Sequence, residues 1–334
     1  MESTIQNINI LLKKANFETF ILDQFSSKKN KFCFDLLAKK NDTIFSVKIF
    51  PNIDNLNPDL VNDIKSLSIL LKSRPLLIGI RNRYQKLEEN AIYIREGLPF
   101  ISIKTLEKMI LKNEYPYVLA RRGGGIIFLD GDLMKSIREE NQISRKKLSE
   151  RLGVTKRTVC AYENDTMRPS ENVAEKILEI LKNYDIFRKM NPFDWGIKFD
   201  EAPSFSFQDM DLSSFESHIY EVIEDIGISS YWYKKGPIPF KLSIYSQSEQ
   251  KANFYPIFSG ISEEQEKMPE KSLKCLKSFT RLFDKKALFI VGNNTKISES
   301  IKKNVVPIVK IKDLERLDDE EEFIDLIKGT GKKE

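Results

Sequence analysis

Gln142-Ile-Ser-Arg-Lys-Lys-Leu-Ser-Glu-Arg-Leu-Gly-Val-Thr-Lys-Arg-Thr-Val-Cys-Ala-Tyr-Glu-Asn-Asp165 is the stretch on which the reading of this chain turns. Ser144 is placed to cap a first helix, in which Leu148 and Leu152, four residues apart, present an apolar face to a core. Gly153 tolerates the positive φ that a tight turn between helices requires. Thr155 caps a second helix, with Val159 and Tyr162 on one face and Lys156, Arg157 and Cys160 or Ala161 on the other. Two short helices joined by a glycine turn, the second polar at its start, predict a helix-turn-helix.

Outward from this motif the pattern stays helical. Leu133 to Asn141 precedes it, and Val173 to Leu181 follows a Pro169-Ser170 start, so residues 130–182 read as almost purely helical. Charge is concentrated here as well. Residues 144–157 hold Arg145, Lys146, Lys147, Arg151, Lys156 and Arg157 against Glu150 alone, a local net charge of +5. The whole chain of 334 residues also carries +5, so the remainder sums to zero. Basic clusters are most often solvated faces; superposed on this motif, the cluster points to phosphate.

The run Ile143-Ser144, Leu148, Leu152-Gly153-Val154-Thr155, Thr158-Val159 and Tyr162-Glu163-Asn164 resembles the Cro-like, phage-repressor type of helix-turn-helix. That resemblance covers about fifty residues and implies a five-helix domain that binds double-stranded DNA. It places Lys156, Arg157 and Ala161 toward base edges, with Thr155 and Thr158 among the DNA-binding positions. It puts Arg145 at a phosphate or an outer base and Arg168 in the minor groove. It makes Arg138 and Glu163 a buried, structural ion pair. Asp165-Thr166 departs from the pattern, which has a glycine after Glu-Asn; Asp tolerates the left-handed conformation better than most residues. The wider layout, with Leu119-Ala-Arg-Arg-Gly-Gly-Gly-Ile-Ile-Phe-Leu-Asp130 leading into the motif, resembles an archaeal family of HTH-type transcriptional regulators.

On either side the chain alternates helix and strand. Helices are predicted at Ile5–Ala15, Leu60–Leu71, Thr105–Leu111, Phe215–Ile226 and Leu273–Phe283. Strands are predicted at 31–38, 42–50, 75–80, 99–103, 240–245, 253–258 and 287–291, with a hairpin turn at Lys39–Asp42. The glycine run at 123–125 reads as a boundary, since the phosphate-loop spacings GxxxxGK[ST] and GxGxxG are absent. Residues 99–109 align without gaps to 307–317, with five of eleven positions identical. Ile64-Lys-Ser-Leu67 likewise matches Leu276-Lys-Ser-Phe279, and Leu76-Leu-Ile78 matches Leu288-Phe-Ile290. The expected architecture is therefore α/β plus all-α, with a central five-helix Cro-like domain between two related α/β, restriction-endonuclease-like domains. Its boundaries are an α/β domain at 1–118, an Arg/Gly linker at 119–129, the helix-turn-helix domain at 130–185, a polar linker at 186–210 and a degenerate α/β repeat at 211–330.

Phe34-Asp-Leu-Leu-Ala-Lys39 followed by Phe45-Ser-Val-Lys-Ile49 resembles the PD-(D/E)xK nucleases, and archaeal Holliday junction resolvases in particular. The resemblance makes Asp35 and Lys48 remnants of a Mg²⁺-dependent site. That chemistry needs several converging carboxylates beside a lysine, whereas Ser46 and Asn7 stand where further acids are expected. In the repeat, Lys241 falls near the aspartate position and Pro256 near the lysine. Both flanks are accordingly expected to be catalytically inactive, with no metal or other cofactor.

Composition closes off other classes. A single histidine, His218, excludes multi-histidine metal sites, and this residue reads as a surface or interface position. Cys33, Cys160 and Cys275 form no CxxC pair, and their sparseness fits a reducing compartment. The absence of a signal-like start or of about 18 continuous apolar residues leads to the expectation of a cytoplasmic protein without a membrane partner. The expected function is sequence-specific binding of double-stranded DNA as a homodimer, for transcription regulation, with an effector or protein partner on the α/β domains. The alternatives are a Mg²⁺-dependent nuclease or resolvase targeted by the helix-turn-helix, and a non-enzymatic scaffold.

Overall fold

Ile5, Ile8, Leu11 and Leu12 fall at helical spacing and are all buried, so the first apolar run folds as helix α1 (Glu2–Lys14). The structure, a computed structural model, describes residues 2–22, 32–121, 124–194, 212–234, 239–246, 248–251, 253–263, 270–295, 297 and 306–330. After α1 come β1 (Glu18–Ile21), β2 (Leu36–Lys40), β3 (Thr43–Asn52), α2 (Pro58–Leu71) and β4 (Arg74–Arg81). Next are β5 (Ala91–Arg95), β6 (Leu98–Ile101), α3 (Ile103–Lys112), β7 (Val118–Arg121) and β8 (Gly124–Ile127). The helices α4 (Gly131–Glu140), α5 (Arg145–Leu152), α6 (Lys156–Glu163) and α7 (Glu171–Leu181) follow in succession. In the place of a fifth α-helix stands a 3-10 turn at Tyr184–Ile186. The chain then forms α8 (Ser214–Asp225), β9 (Ser229–Trp232), β10 (Leu242–Tyr245), β11 (Ile257–Ser262) and α9 (Glu270–Phe283). It ends with β12 (Lys286–Val291), β13 (Ile308–Lys310), α10 (Ile311–Leu314) and α11 (Glu320–Thr330).

By internal packing the chain divides into two compact units, and the division runs inside β3 and β4. The first contains Ile49–Leu56 and the described part of Leu76–Gly196; the second draws on Glu2–Lys48, Asn57–Pro75 and Ile197–Glu334. The strand orders are β1-β2-β3-β4-β6-β5-β7-β8 and β13-β12-β11-β10-β9. Both mix parallel and antiparallel pairs, as the helix–strand alternation predicts.

In the first unit, β7 and β8 pair antiparallel as a hairpin, so Gly124 and Gly125 of the run that reads as a boundary lie in a strand. Gly125 permits this, because a Cβ there would lie 2.5 Å from the Val118 side chain. Beyond the hairpin, Asp130 N–H donates to Ile186 O at 2.8 Å and Arg188 N–H to Phe128 O at 2.8 Å. The entry and exit of the helical segment are thus tied together. Tyr117 stacks on Phe187 with ring centroids 5.3 Å apart. Residues 195–211, which cover most of the second expected linker, lie outside the described residues.

In the second unit the two ends of the chain carry matching ladders. Leu36 pairs with Val47 and Leu242 with Ser259, while Asp35 N–H donates to Val47 O and Lys241 N–H to Ser259 O. Asp35 and Lys241 thus share Val47 and Ser259 with the residue that follows each, and the residues next after Val47 and Ser259 are Lys48 and Gly260, so Gly260 takes the lysine's place. Pro256, read from sequence near that place, precedes β11 altogether, because a residue without an N–H starts poorly inside a ladder. This also moves the strand expected at 253–258 to Ile257–Ser262. The turns after α1 and α8 match as well: Asn16 and Gly227 both have positive φ, and Phe17 N–H and Ile228 N–H reach back to Leu12 O and Ile223 O.

Rings from both ends of the chain make the core of this unit. Phe279 lies 4.9 Å from Phe258, 5.0 Å from Phe240, 5.4 Å from Phe283 and 6.1 Å from Phe20, centroid to centroid. Phe32 is 5.2 Å from both Tyr233 and Phe240. Edge-on and tilted ring packing of this kind adds to the area each ring buries. Phe279→Ala is expected to destabilise the unit by about 3–5 kcal/mol, read from urea unfolding by the fluorescence of the buried Trp232; an unchanged midpoint would contradict a shared core.

Candidate nucleic-acid interface

Leu148 and Leu152 of α5 and Val159 and Tyr162 of α6 are buried, and this apolar seam sets the two helices against each other. Gly153 ends α5 with φ +71°, and Val154 follows into the turn. Ser144 caps α5 by accepting from Lys147 N–H at 3.1 Å, and Thr155 caps α6 by accepting from Thr158 N–H at 3.1 Å. The Thr155 and Thr158 hydroxyls also lie 2.8 Å apart, so both threonines order the first turn of α6.

That turn carries the cations. Lys156 and Arg157 are exposed, as are Lys146, Lys147 and Arg151, while Ala161 is half-buried. Among the described residues, no carboxylate forms an ion pair with Lys156 or Arg157. Arg168, also exposed, lies with its guanidinium 4.1 Å from the centre of the Phe128 ring.

Glu163, at the far end of α6, is buried and accepts from two arginines. Arg138 Nε donates to Oε1 at 2.5 Å, and Arg145 Nε donates to Oε2 at 2.6 Å. Arg138 Nη1 also reaches Ile143 O at 2.9 Å. Arg138 comes from α4 and Arg145 from α5, so one carboxylate joins three helices. The bond to Glu163 holds both guanidinium groups above their ordinary pKa range. Arg145, placed by resemblance at the DNA, therefore gives its Nε to the protein interior and keeps its side chain 34% exposed.

Three further residues, Gly131, Asp165 and Arg188, hold this arrangement together. Gly131 opens α4 against the last turn of α6, where a Cβ would stand 2.3 Å from Glu163 O. Asp165 adopts φ +57° at the position where glycine is usual, and its Oδ1 accepts from Gly131 N–H at 3.2 Å. Its Oδ2 pairs with Arg188. Of these, only the conformational tolerance of Asp165 is readable from residue type.

The other predicted residues lie in the second unit. Asp35 and Lys48 are both buried, and Lys48 Nζ donates to Asp35 Oδ1 at 2.8 Å. Of the polar groups in this region, Ser46 Oγ accepts from Ser73 Oγ at 3.3 Å and Asn9 Oδ1 from Thr19 Oγ1 at 2.6 Å, while the buried carboxylate of Asp63 accepts from the Tyr231 hydroxyl at 3.0 Å. A Mg²⁺-type cation requires about six oxygen ligands, usually including one or two carboxylates. Here the carboxylate faces an ammonium, and no group of three or more His, Cys, Asp and Glu able to hold a metal occurs among the described residues. The donor set does not fit a divalent cation. In the matching position Lys241 pairs with Glu216 at 3.2 Å. Burial, and then the proximity of Asp63, push the Cys33 thiol well above its ordinary range. His218 is exposed and lies 2.7 Å from Glu315 Oε1.

Glu163→Ala would leave Arg138 buried with no carboxylate but that of the exposed Glu139, 3.0 Å from its Nη2. It is expected to cost about 3–5 kcal/mol and to raise hydrogen exchange across α4, α5 and α6 together. Protection unchanged in α4 would show that Glu163 does not join these helices.

Comparison with known proteins agrees with both halves of this description. The PD-(D/E)XK superfamily domain matches residues 1–116, and the family described as Helix-turn-helix matches residues 134–186. A relative from Methanobrevibacter smithii, named "Putative HTH-type transcriptional regulatory protein", is 30% identical over 329 residues, covering 97% of this chain and 96% of its own. Relatives with the same description from Archaeoglobus fulgidus and Methanocaldococcus jannaschii are each 28% identical, the first over 99% of this chain and 98% of its own, the second over 91% of both. No solved structure matches. The chain belongs to this archaeal family of HTH-type transcriptional regulatory proteins, a helix-turn-helix joined to a PD-(D/E)XK superfamily domain.

Proposed function

We propose that the protein is a sequence-specific, double-stranded DNA-binding transcription regulator that acts as a homodimer through α6. The observation that carries this reading is the first turn of α6, where Lys156 and Arg157 are exposed and form no ion pair among the described residues, on a helix whose cap and far end are fixed. Lys156, Arg157 and Ala161 are assigned to base edges, where a bidentate arginine–guanine pair discriminates by about 1–3 kcal/mol. Thr155 and Thr158 shape the turn beside the DNA. Arg145 is assigned to a phosphate through its Nη groups, since its Nε holds Glu163. Arg168 is assigned to the minor groove and Phe128 steers its guanidinium. One motif per chain favours two-fold pairing, with recognition helices about 34–36 Å apart on the operator.

In this reading the helix-turn-helix domain spans 130–185, and the flanks at 1–118 and 211–330 are inactive nuclease-type copies that serve docking or effector sensing in the cytoplasm. The matching ladders of the two ends support a duplication. Ile78 pairs with Ile101 in β4–β6, and Ile290 with Val309 in β12–β13, the positions that the internal sequence repeat aligns.

Selection from random duplexes is expected to return a palindromic site. On that site Arg157→Ala should weaken binding by about 1–3 kcal/mol and relax one base position, and affinity should fall steeply with salt. Unchanged affinity in the variant, or binding indifferent to sequence and salt, would reject the assignment and favour a scaffold. The match of residues 1–116 to a nuclease superfamily keeps a second reading testable. Incubation with branched and linear DNA plus Mg²⁺ or Mn²⁺ is expected to give no cleavage; cleavage abolished by Asp35→Asn would establish a nuclease.

A further inference from the structure

A concave pocket of about 530 Å³ opens in the second unit between the end of α9, the start of β12 and α11. Five of its lining residues are cationic: Lys277, Arg281, Lys285, Lys286 and Lys328. Among the described residues that line it, none is acidic. Its apolar wall comes from Phe254, Ala287, Val306, Pro307 and Ile327. Lys286 is held in place, donating to Asn253 O and Phe254 O and sitting 3.9 Å over the Phe254 ring. Lys328 lies over the same ring at 5.8 Å, and Asp325, one turn away, is its exposed partner at 3.7 Å.

A row of lysines on a surface is ordinarily solvated and spaced apart. Here the cations converge on a recess. Lys285 is half-buried, and burial, then Lys72 and further off Lys39, hold its ammonium below the usual lysine range. Burial and then Lys328 do the same to Lys286. Asp284 opposes these shifts only in part. The charges are therefore gathered at an energetic cost, the pattern of sites kept for binding. Their number calls for a ligand with more than one negative charge, as a phosphate group supplies. The apolar wall and the recess are of no use to an extended nucleic-acid backbone, and the volume falls in the range of small-molecule sites, about 300–1,000 Å³.

We propose that this pocket binds a small phosphate ester with an apolar or planar body, the phosphate held by Lys277, Arg281 and Lys285 and the body set against Val306, Pro307 and Ile327. The site lies outside α6 and outside the Asp35–Lys48 pair. Its occupancy is measured directly, so its failure is separate from any failure to bind DNA.

The test is calorimetric titration of the full-length protein with ATP, AMP, inorganic pyrophosphate, adenosine and a short duplex. ATP or AMP is expected to bind with a Kd below about 1 mM, and pyrophosphate and adenosine at least about tenfold more weakly. Arg281→Gln with Lys285→Gln should weaken the nucleotide at least about tenfold, while Arg157→Ala should leave it unchanged. Without ligand, Lys285→Met should melt no lower than the parent, because it removes a desolvated charge from among like charges. The proposal fails if neither nucleotide binds, if pyrophosphate alone binds as well as ATP, or if the double variant binds normally. It also fails if the duplex displaces the nucleotide, which would mark a nucleic-acid surface, or if Lys285→Met lowers the melting temperature, which would make the lysine structural.

Discussion

The carboxylate of Glu163 is the constraint on which the helix-turn-helix depends. An ionised group with no exposed surface persists only when charge and hydrogen bonds compensate its lost hydration, and Arg138 and Arg145 together supply both. Because the arginines come from α4 and α5, satisfying Glu163 orients α6 against both helices. The close approach of Gly131 to Glu163 O and the bond from Gly131 N–H to Asp165 brace the same end of α6. The opposite end, with Lys156 and Arg157, is thereby held out on a rigid support. Positioned donors of this kind lose little freedom on meeting a ligand.

The nuclease-type region uses the same physics to the opposite effect. Lys48 and Asp35 are buried together, and each neutralises the other. The cation that faces this aspartate comes from the next strand. At the other end of the chain Lys241 stands at the place that matches the aspartate, and a Cβ at Gly260, at the place that matches the lysine, would stand 2.4 Å from the Phe289 ring. Neither Lys241 nor Gly260 interrupts the ladder or the core. What is preserved is a packed α/β scaffold, in which Phe20 and Phe32 from one end of the chain pack with Phe279 and Phe240 from the other.

Charge is distributed accordingly. Fourteen residues of the helix-turn-helix hold a net +5, and the rest of the chain balances to zero. Within that balanced remainder, the cations at the end of α9 gather beside an apolar wall. A regional sum hides such a cluster, because residues that converge in space are compensated in the count by acids elsewhere.

Much of the fold was legible in local pattern. Ser144, Gly153 and Thr155 mark the ends of α5 and α6, and each does so through a contact within three or four residues. The long helices and the buried strands followed from apolar spacing, and Asn41, with φ +51°, makes the hairpin turn expected at 39–42. Legibility failed where a segment depends on partners remote in sequence. Gly124 and Gly125 joined β8 because β7 supplies the strand that they pair with, and β11 began after Pro256 because the ladder needs an N–H there. The sequence by itself thus determined the helices, their caps and the cations they display, since these depend on residues a turn or two apart. Only the tertiary structure decided that Arg145 turns inward to Glu163, 18 residues away, that Asp35 is neutralised, and that Tyr231 bonds Asp63 across 168 residues. Those contacts follow from which buried charges and polar groups the fold brings face to face, and no local spacing encodes that.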